Sequence, residues 1–209
     1  MTKKALIVQG GWDGHKPAEV ADILAEQLLG SGFEVTIADT LDAYKNPRLG
    51  ELDLIVPNWT MGTIEQAQLR PLLDAVASGV GLAGLHGGMC DSFRNETEYQ
   101  FMTGGQWVAH PGNDGVTYTV HMDGVSHPIT DGIADFQVTT EQYYMHVDPG
   151  NTVLATTRFG AVVMPVVWLK QWGKGRVFYC SLGHSPNIVR MPQVLELMRR
   201  GMVWASERG

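Results

Sequence analysis

Short continuous apolar runs alternate with stretches of helical periodicity through the first half of the chain. Ala5 to Val8 is apolar throughout and ends in Gly10-Gly11, the form of a strand buried on both faces that feeds a turn. Pro17 suits a first helical position, Val20, Ile23, Leu24 and Leu28 recur at helical spacing, and Gly30 and Gly32 supply the stop. Phe33, Val35 and Ile37 then alternate with Glu34 and Thr36 as a second strand. Leu52 to Val56 forms a third, closed by Pro57. Ile64, Leu69, Leu72, Leu73 and Val76 mark a second helix, which Pro71 is expected to kink or divide, and Ser78-Gly79 ends it. Val80 to Leu85 reads as a fourth strand delivering His86 into Gly87-Gly88, with a helix predicted over roughly 91–102.

The middle third has a different pattern. Val116 to His121, Phe136 to Thr140 and Val153 to Thr157 are short strand-like runs separated by Asn113-Asp114-Gly115, Asp123-Gly124 and Pro149-Gly150, a pattern of antiparallel elaboration. Val163 to Leu169 and Arg176 to Leu182 flank Gln171-Trp172-Gly173-Lys174-Gly175, whose two glycines fit a hairpin. Met191 to Trp204 closes the chain as an amphipathic helix. The fold class expected is therefore α/β, a mostly parallel sheet with antiparallel additions, over a single domain at 1–209.

Composition narrows the partners. The 209 residues include 44% hydrophobic ones, enough for a substantial core, and a net charge of −7 that disfavours nucleic acid and anionic membranes. No stretch reads as a secretory leader or a membrane span. The two cysteines, Cys90 and Cys180, lie far apart and imply neither a disulfide framework nor a Cys-rich zinc site. A reducing, cytoplasmic setting fits. The amphipathic helices and strand-end tryptophans are compatible with a homodimer.

In an open parallel sheet, ligands bind beyond the carboxyl ends of the strands. Three of the seven histidines fall there: His15 after the first strand, His86 after the fourth and His184 after the run Tyr179 to Leu182. Each could instead bond a loop carbonyl or cap a helix. Gly84-Leu85-His86-Gly87-Gly88 has the form of a nucleophile elbow with histidine at the exposed position, which suits proton transfer or metal ligation better than acyl transfer. Cys90, off the bend, reads as structural; the alternative is a thiol with a lowered pKa near a helix start. Glu141 is a candidate base or metal ligand, or else a solvated acid. His86, His184 and Glu141 are thus candidates for acid–base chemistry and, with His15, for a divalent metal such as zinc assembled from separate loops, since no fixed-spacing metal motif is present. Trp12, Trp59, Trp107, Tyr143 and Tyr144 offer ring faces for the C–H surface of a sugar, or core packing. His110 and His127 precede prolines and are held extended, as ligand contacts or as loop anchors. The glycines at 10, 11 and 14 lack the spacing of a nucleotide cofactor loop.

Taken in order, His15, Gly84-Leu85-His86-Gly87-Gly88, Gly104-Gly105-Gln106-Trp107 leading to His110-Pro111, His127-Pro128-Ile129-Thr130-Asp131-Gly132-Ile133, Glu141-Gln142-Tyr143, and Gly173 to Tyr179 before Leu182-Gly183-His184 resemble the ThuA-like family, named for trehalose utilisation. The resemblance implies the class I glutamine amidotransferase-like fold, a flavodoxin-like three-layer sandwich. It also implies a link to sugar metabolism without the cysteine nucleophile of cysteine-dependent glutamine amidotransferases. Where many relatives have an acid soon after the elbow histidine, this chain places Gly87 to Cys90 first and leaves Asp91 for that role. Of an acidic pair before the tyrosine, Glu141 alone is present, after Thr140. Two functions follow as expectations. One is an enzyme using His/Glu acid–base or metal-assisted chemistry on a sugar or keto-sugar, as isomerase or hydrolase, with His15, Trp12, Trp59, Trp107, His110 and Tyr143 binding the substrate. The other is a non-catalytic carbohydrate-binding or regulatory module.

Overall fold

The computed structural model describes residues 2–208. Its first half runs β1 (Lys3–Gly11), α1 (Pro17–Gly30), β2 (Phe33–Ala38), β3 (Leu54–Thr60), α2 (Gln66–Ser78), β4 (Gly81–Leu85), α3 (His86–Cys90) and α4 (Thr97–Thr103). Then come β5 (Gly105–Ala109), β6 (Val116–Val120), β7 (Phe136–Thr140), β8 (Tyr144–Val147), β9 (Thr152–Phe159), β10 (Val162–Trp172), β11 (Gly175–Cys180), α5 (Pro186–Val189) and α6 (Pro192–Ala205).

Seven strands form the central sheet in the order β2-β1-β3-β4-β11-β10-β9. The first five are mutually parallel, and β10 and β9 add antiparallel at one edge. Strands buried on both faces need apolar side chains on both, which is why Ala5 to Val8 and Leu54 to Val56 read as unbroken apolar runs. Ile7, Leu54 and Val56 pack with α1, α5 and α6, whereas Leu6, Val8 and Ile55 pack with α2 and α4. The result is a flavodoxin-like three-layer sandwich with a mostly parallel sheet. Among the described residues no helix is long and apolar enough to cross a membrane.

Several local expectations change. Pro71 does not divide α2, which runs unbroken from Gln66 to Ser78. A capping box between Glu65 and Gln68 and the buried face of Leu69, Leu72, Leu73 and Val76 outweigh the one missing backbone bond. Of the helix expected over 91–102 only Thr97–Thr103 forms, as α4, because Phe93 adopts a left-handed backbone (φ 48°) that keeps residues 91–96 out of a helix. Val153 to Thr157 is antiparallel as expected: as β9 it pairs with β10 and extends the edge of the main sheet. The true additions are the two-stranded sheets β6-β7 and β5-β8, and the strand character of β5 and β8 has no alternation strong enough to mark it. Cys90 and Cys180 are free and fully buried, and burial pushes the Cys180 thiol up to about 12 and the Cys90 thiol further still. An activated Cys90 is therefore overturned, since a desolvated thiolate has no compensating cation there.

Candidate functional site

Parallel pairing puts the carboxyl ends of β1, β3, β4 and β11 along one edge of the sheet, and β1 and β3 flank the point where the strand order reverses. His15 follows β1 in a 3-10 turn (Asp13–His15), Thr60 ends β3, His86 directly follows β4, and His184 lies just beyond β11. Glu141 arrives from elsewhere. It follows β7 in the antiparallel insert, and the Tyr118 hydroxyl donates to its carbonyl oxygen at 3.0 Å, which holds it over the edge. One ligand atom from each of His15, His86, Glu141 and His184 lies within 4.8 Å of every other.

The turn at His86 has an elbow's backbone, with φ 46° at a non-glycine residue. It does not expose its side chain, however. His86 is 1% exposed, because Tyr143 stacks on it at a 4.1 Å centroid separation and the rings of His15 and His184 close around it. The expectation of an exposed imidazole is corrected to a buried one. The two glycines that follow are demanded by crowding. A Cβ on Gly88 would sit 2.6 Å from Asn58 Oδ1, and one on Gly87 would sit 2.8 Å from His15 Cε1.

The hydrogen bonds fix the protons. His86 Nδ1 is 2.8 Å from the Ser181 carbonyl oxygen, which can only accept, so this nitrogen carries hydrogen. Burial pushes the His86 pKa down and favours the neutral ring, against the opposing pull of Glu141. Nε2 then presents a lone pair, 2.9 Å from the Tyr143 hydroxyl and 3.1 Å from Glu141 Oε2. His15 Nδ1 meets Thr60 Oγ1 at 2.8 Å, and burial, reinforced by His86 and His184, lowers its pKa to about 3. Burial raises the Glu141 pKa, but contacts with His184 and His86 outweigh it and hold the carboxyl well below its usual range. His184 Nδ1 lies 3.3 Å from Glu141 Oε2 without hydrogen-bond geometry, and the carboxylate raises the His184 pKa above 6.5 despite partial burial. An ionised carboxylate thus faces imidazole lone pairs at close range. Such a set of acceptors is matched by a cation: a proton on His184, or a metal ion.

A cavity of about 410 Å3 opens above the cluster, a size usual for small-molecule sites. Trp12, Trp107, His110 and Tyr143 line it beside His15, Glu141 and His184, so the structure brings these expected residues together. Trp59 is not among them. Alternation along β3 sends Thr60 to the cavity and Trp59 away from it, where its ring covers Gly10 and Gly62. Thr60, Met61, Arg94, Asn113 and Asp114 also line the cavity and escaped the sequence reading. The strand-end rule applied to β3 would have found Thr60. Arg94, Asn113 and Asp114 lie in loops with no periodic signal.

Fold and site together define a flavodoxin-like α/β protein with a His/Glu pocket at the carboxyl ends of its parallel strands. The chain belongs to the ThuA family, described as trehalose utilisation, whose model matches residues 4–205. No curated protein matches the sequence. A ThuA-like protein from Parabacteroides merdae superposes with a TM-score of 0.81 at 17% identity, covering 99% of this chain and 90% of that one. A ThuA-like protein from Bacteroides uniformis gives 0.80 at 18% identity, covering 98% and 91%. A β-galactosidase from Rahnella matches at 0.64 and 13% identity, over 100% of this chain but 32% of its own. At these identities the likeness is one of fold.

Proposed function

We propose that this protein is an enzyme acting on a sugar or keto-sugar, by isomerisation or hydrolysis, with His15, His86, Glu141 and His184 holding a divalent metal such as zinc. The observation that supports it most is the convergence of four ligand atoms, three imidazole and one carboxylate, at the floor of an aromatic-walled cavity. The donor set is of the kind zinc takes, and the second shell fits too. Ser181 O orients His86 through Nδ1, the ring nitrogen opposite the one that meets Glu141, and Thr60 Oγ1 holds His15 at Nδ1. When bound, such a metal polarises a carbonyl or hydroxyl oxygen of the substrate. Trp12 and Trp107 offer faces to the sugar's C–H surface, and the Tyr143 hydroxyl, 2.9 Å from His86 Nε2, would hold a proton beside the metal position.

The direct test is turnover of keto-sugars and disaccharides by the purified protein, followed by NMR with and without a chelator. Turnover abolished by the chelator and by His86→Ala or His184→Ala supports the proposal. Turnover unaffected by all three overturns it, and tight sugar binding with neither metal nor turnover favours the carbohydrate-binding module instead.

Two further results are expected. Metal affinity falls as the pH is lowered through the His184 pKa, which Glu141 raises above the ordinary histidine value, because the proton that the carboxylate favours on His184 must leave first. Calorimetric titration with zinc in buffers of different ionisation enthalpy reads this as a released proton, and an affinity flat across that pH range contradicts it. Gly87→Ala places a methyl against His15 Cε1, Thr60 Cγ2 and Tyr143 Oη, at 2.8, 3.0 and 3.1 Å. It should weaken zinc binding by about 10- to 100-fold, as disturbed ligand orientation does, while costing roughly 1–3 kcal/mol of stability. Metal titration and a thermal melt on the same sample separate the two effects.

A further inference from the structure

We propose that the ion pair of Asp91 and Arg94 reads the ligand's hydroxyl groups and makes the pocket select an uncharged polyhydroxy ligand over a phosphorylated or carboxylated one. This rests on reading the cavity as a sugar site. Asp91 is buried and lines the cavity, and its two oxygens accept from Arg94 Nε at 2.6 Å and Nη2 at 2.9 Å. The pair is rigidly mounted. Met61 N donates to Asp91 O at 2.8 Å, Phe93 N returns a bond to Met61 O at 3.2 Å, and the Arg94 guanidinium lies 4.6 Å from the Trp107 ring centroid. Both Met61 and Phe93 take left-handed backbone angles to make this frame, at φ 59° and 48°.

A carboxylate bonded this way keeps a second lone pair on each oxygen, and Arg94 Nη1 has no partner among the described residues. Acceptors and donors therefore stand side by side, the arrangement that neighbouring hydroxyls complement, since each hydroxyl both donates and accepts. The charges give an anion no net attraction. With neutral histidines the lining carries Asp91, Asp114 and Glu141 against Arg94 alone, a net charge of −2. A divalent cation at the cluster brings the lining to neutrality and no further. The Nε–Nη2 fork of the one lining arginine already holds a carboxylate, so a phosphate or carboxylate is left a one-point contact at Nη1 beside the Asp91 charge, and bidentate binding would have to displace Asp91 and strand it buried.

The test is binding of D-glucose, D-glucose 6-phosphate and D-glucuronate to the zinc-loaded protein by ligand-observed NMR titration. Wild type should bind glucose at least about tenfold more tightly than either anion, the scale of one charge-assisted hydrogen bond. Asp91→Asn frees the guanidinium, so glucuronate should gain on glucose until the preference is lost or reversed, with zinc content unchanged. Arg94→Gln, at a position whose side chain is 45% exposed, serves as the second variant. It should weaken glucose and widen the gap to glucuronate. Anions bound by wild type as tightly as glucose, or a preference that neither variant moves, would overturn this assignment and leave the sugar-site reading standing. Failure of all three compounds to bind overturns both.

Discussion

Glu141→Gln lowers zinc affinity by more than about 100-fold, exceeding the 10- to 100-fold typical of lost second-shell partners, and the purified variant contains no stoichiometric metal. The substitution keeps the side chain's shape and removes the one anionic ligand of the cluster. Glu141 is also what raises the His184 pKa and opposes the fall of the His86 pKa. Without the carboxylate, four neutral groups would have to hold a dication in a largely buried site, where an uncompensated charge is costly. Elemental analysis by mass spectrometry and competition against a chelator of known affinity measure the loss. Stoichiometric zinc at wild-type affinity in Glu141→Gln would show that the carboxylate is not a ligand. His121→Ala is the matched control, because His121 pairs with Asp135 on the surface away from the cluster. It should leave zinc content unchanged.

Trp168→Ala destabilises the protein by about 3–5 kcal/mol, which lowers the Tm by roughly 6–20 °C for a chain of this size. Trp168 is fully buried on β10, packs against the tilted ring of Tyr179 at a 4.3 Å centroid separation, and donates from Nε1 to the Thr103 carbonyl at 3.0 Å. Truncation removes the ring and leaves that carbonyl at the end of α4 unpaired. The effect reaches the site as well, because the Tyr179 hydroxyl donates to the His86 carbonyl oxygen at 3.0 Å. Chemical and thermal denaturation measure the stability change. A loss below about 1 kcal/mol would mean that the α2 and α4 face of the sheet repacks far more freely than a close-packed core allows.

The His/Glu pocket was only partly legible beforehand. Strand-end position singles out His15, His86 and His184, because the rule depends on local pattern alone: an apolar run, then a turn. The same rule left Glu141 ambiguous between ligand and solvated acid. Its place over the sheet edge depends on how the β6-β7 insert docks, through contacts such as the Tyr118 hydroxyl on the Glu141 carbonyl. Asp91 and Arg94 were less legible still, since an acid and a base three residues apart in a loop are common on any surface.

By itself the sequence determined the α/β alternation, the extent of most central strands and helices, and the strand-end placement of the three histidines, since periodicity and turn residues act over a few neighbours in the chain. Only the tertiary structure decided that His86 is buried, that β9 extends the main sheet, that Trp59 faces away from the cavity, and that Glu141 meets His15, His86 and His184 within 4.8 Å. Those outcomes depend on parallel pairing, which aligns the ends of β1, β3, β4 and β11 on one edge, and on packing between segments far apart in the chain. No local pattern encodes either.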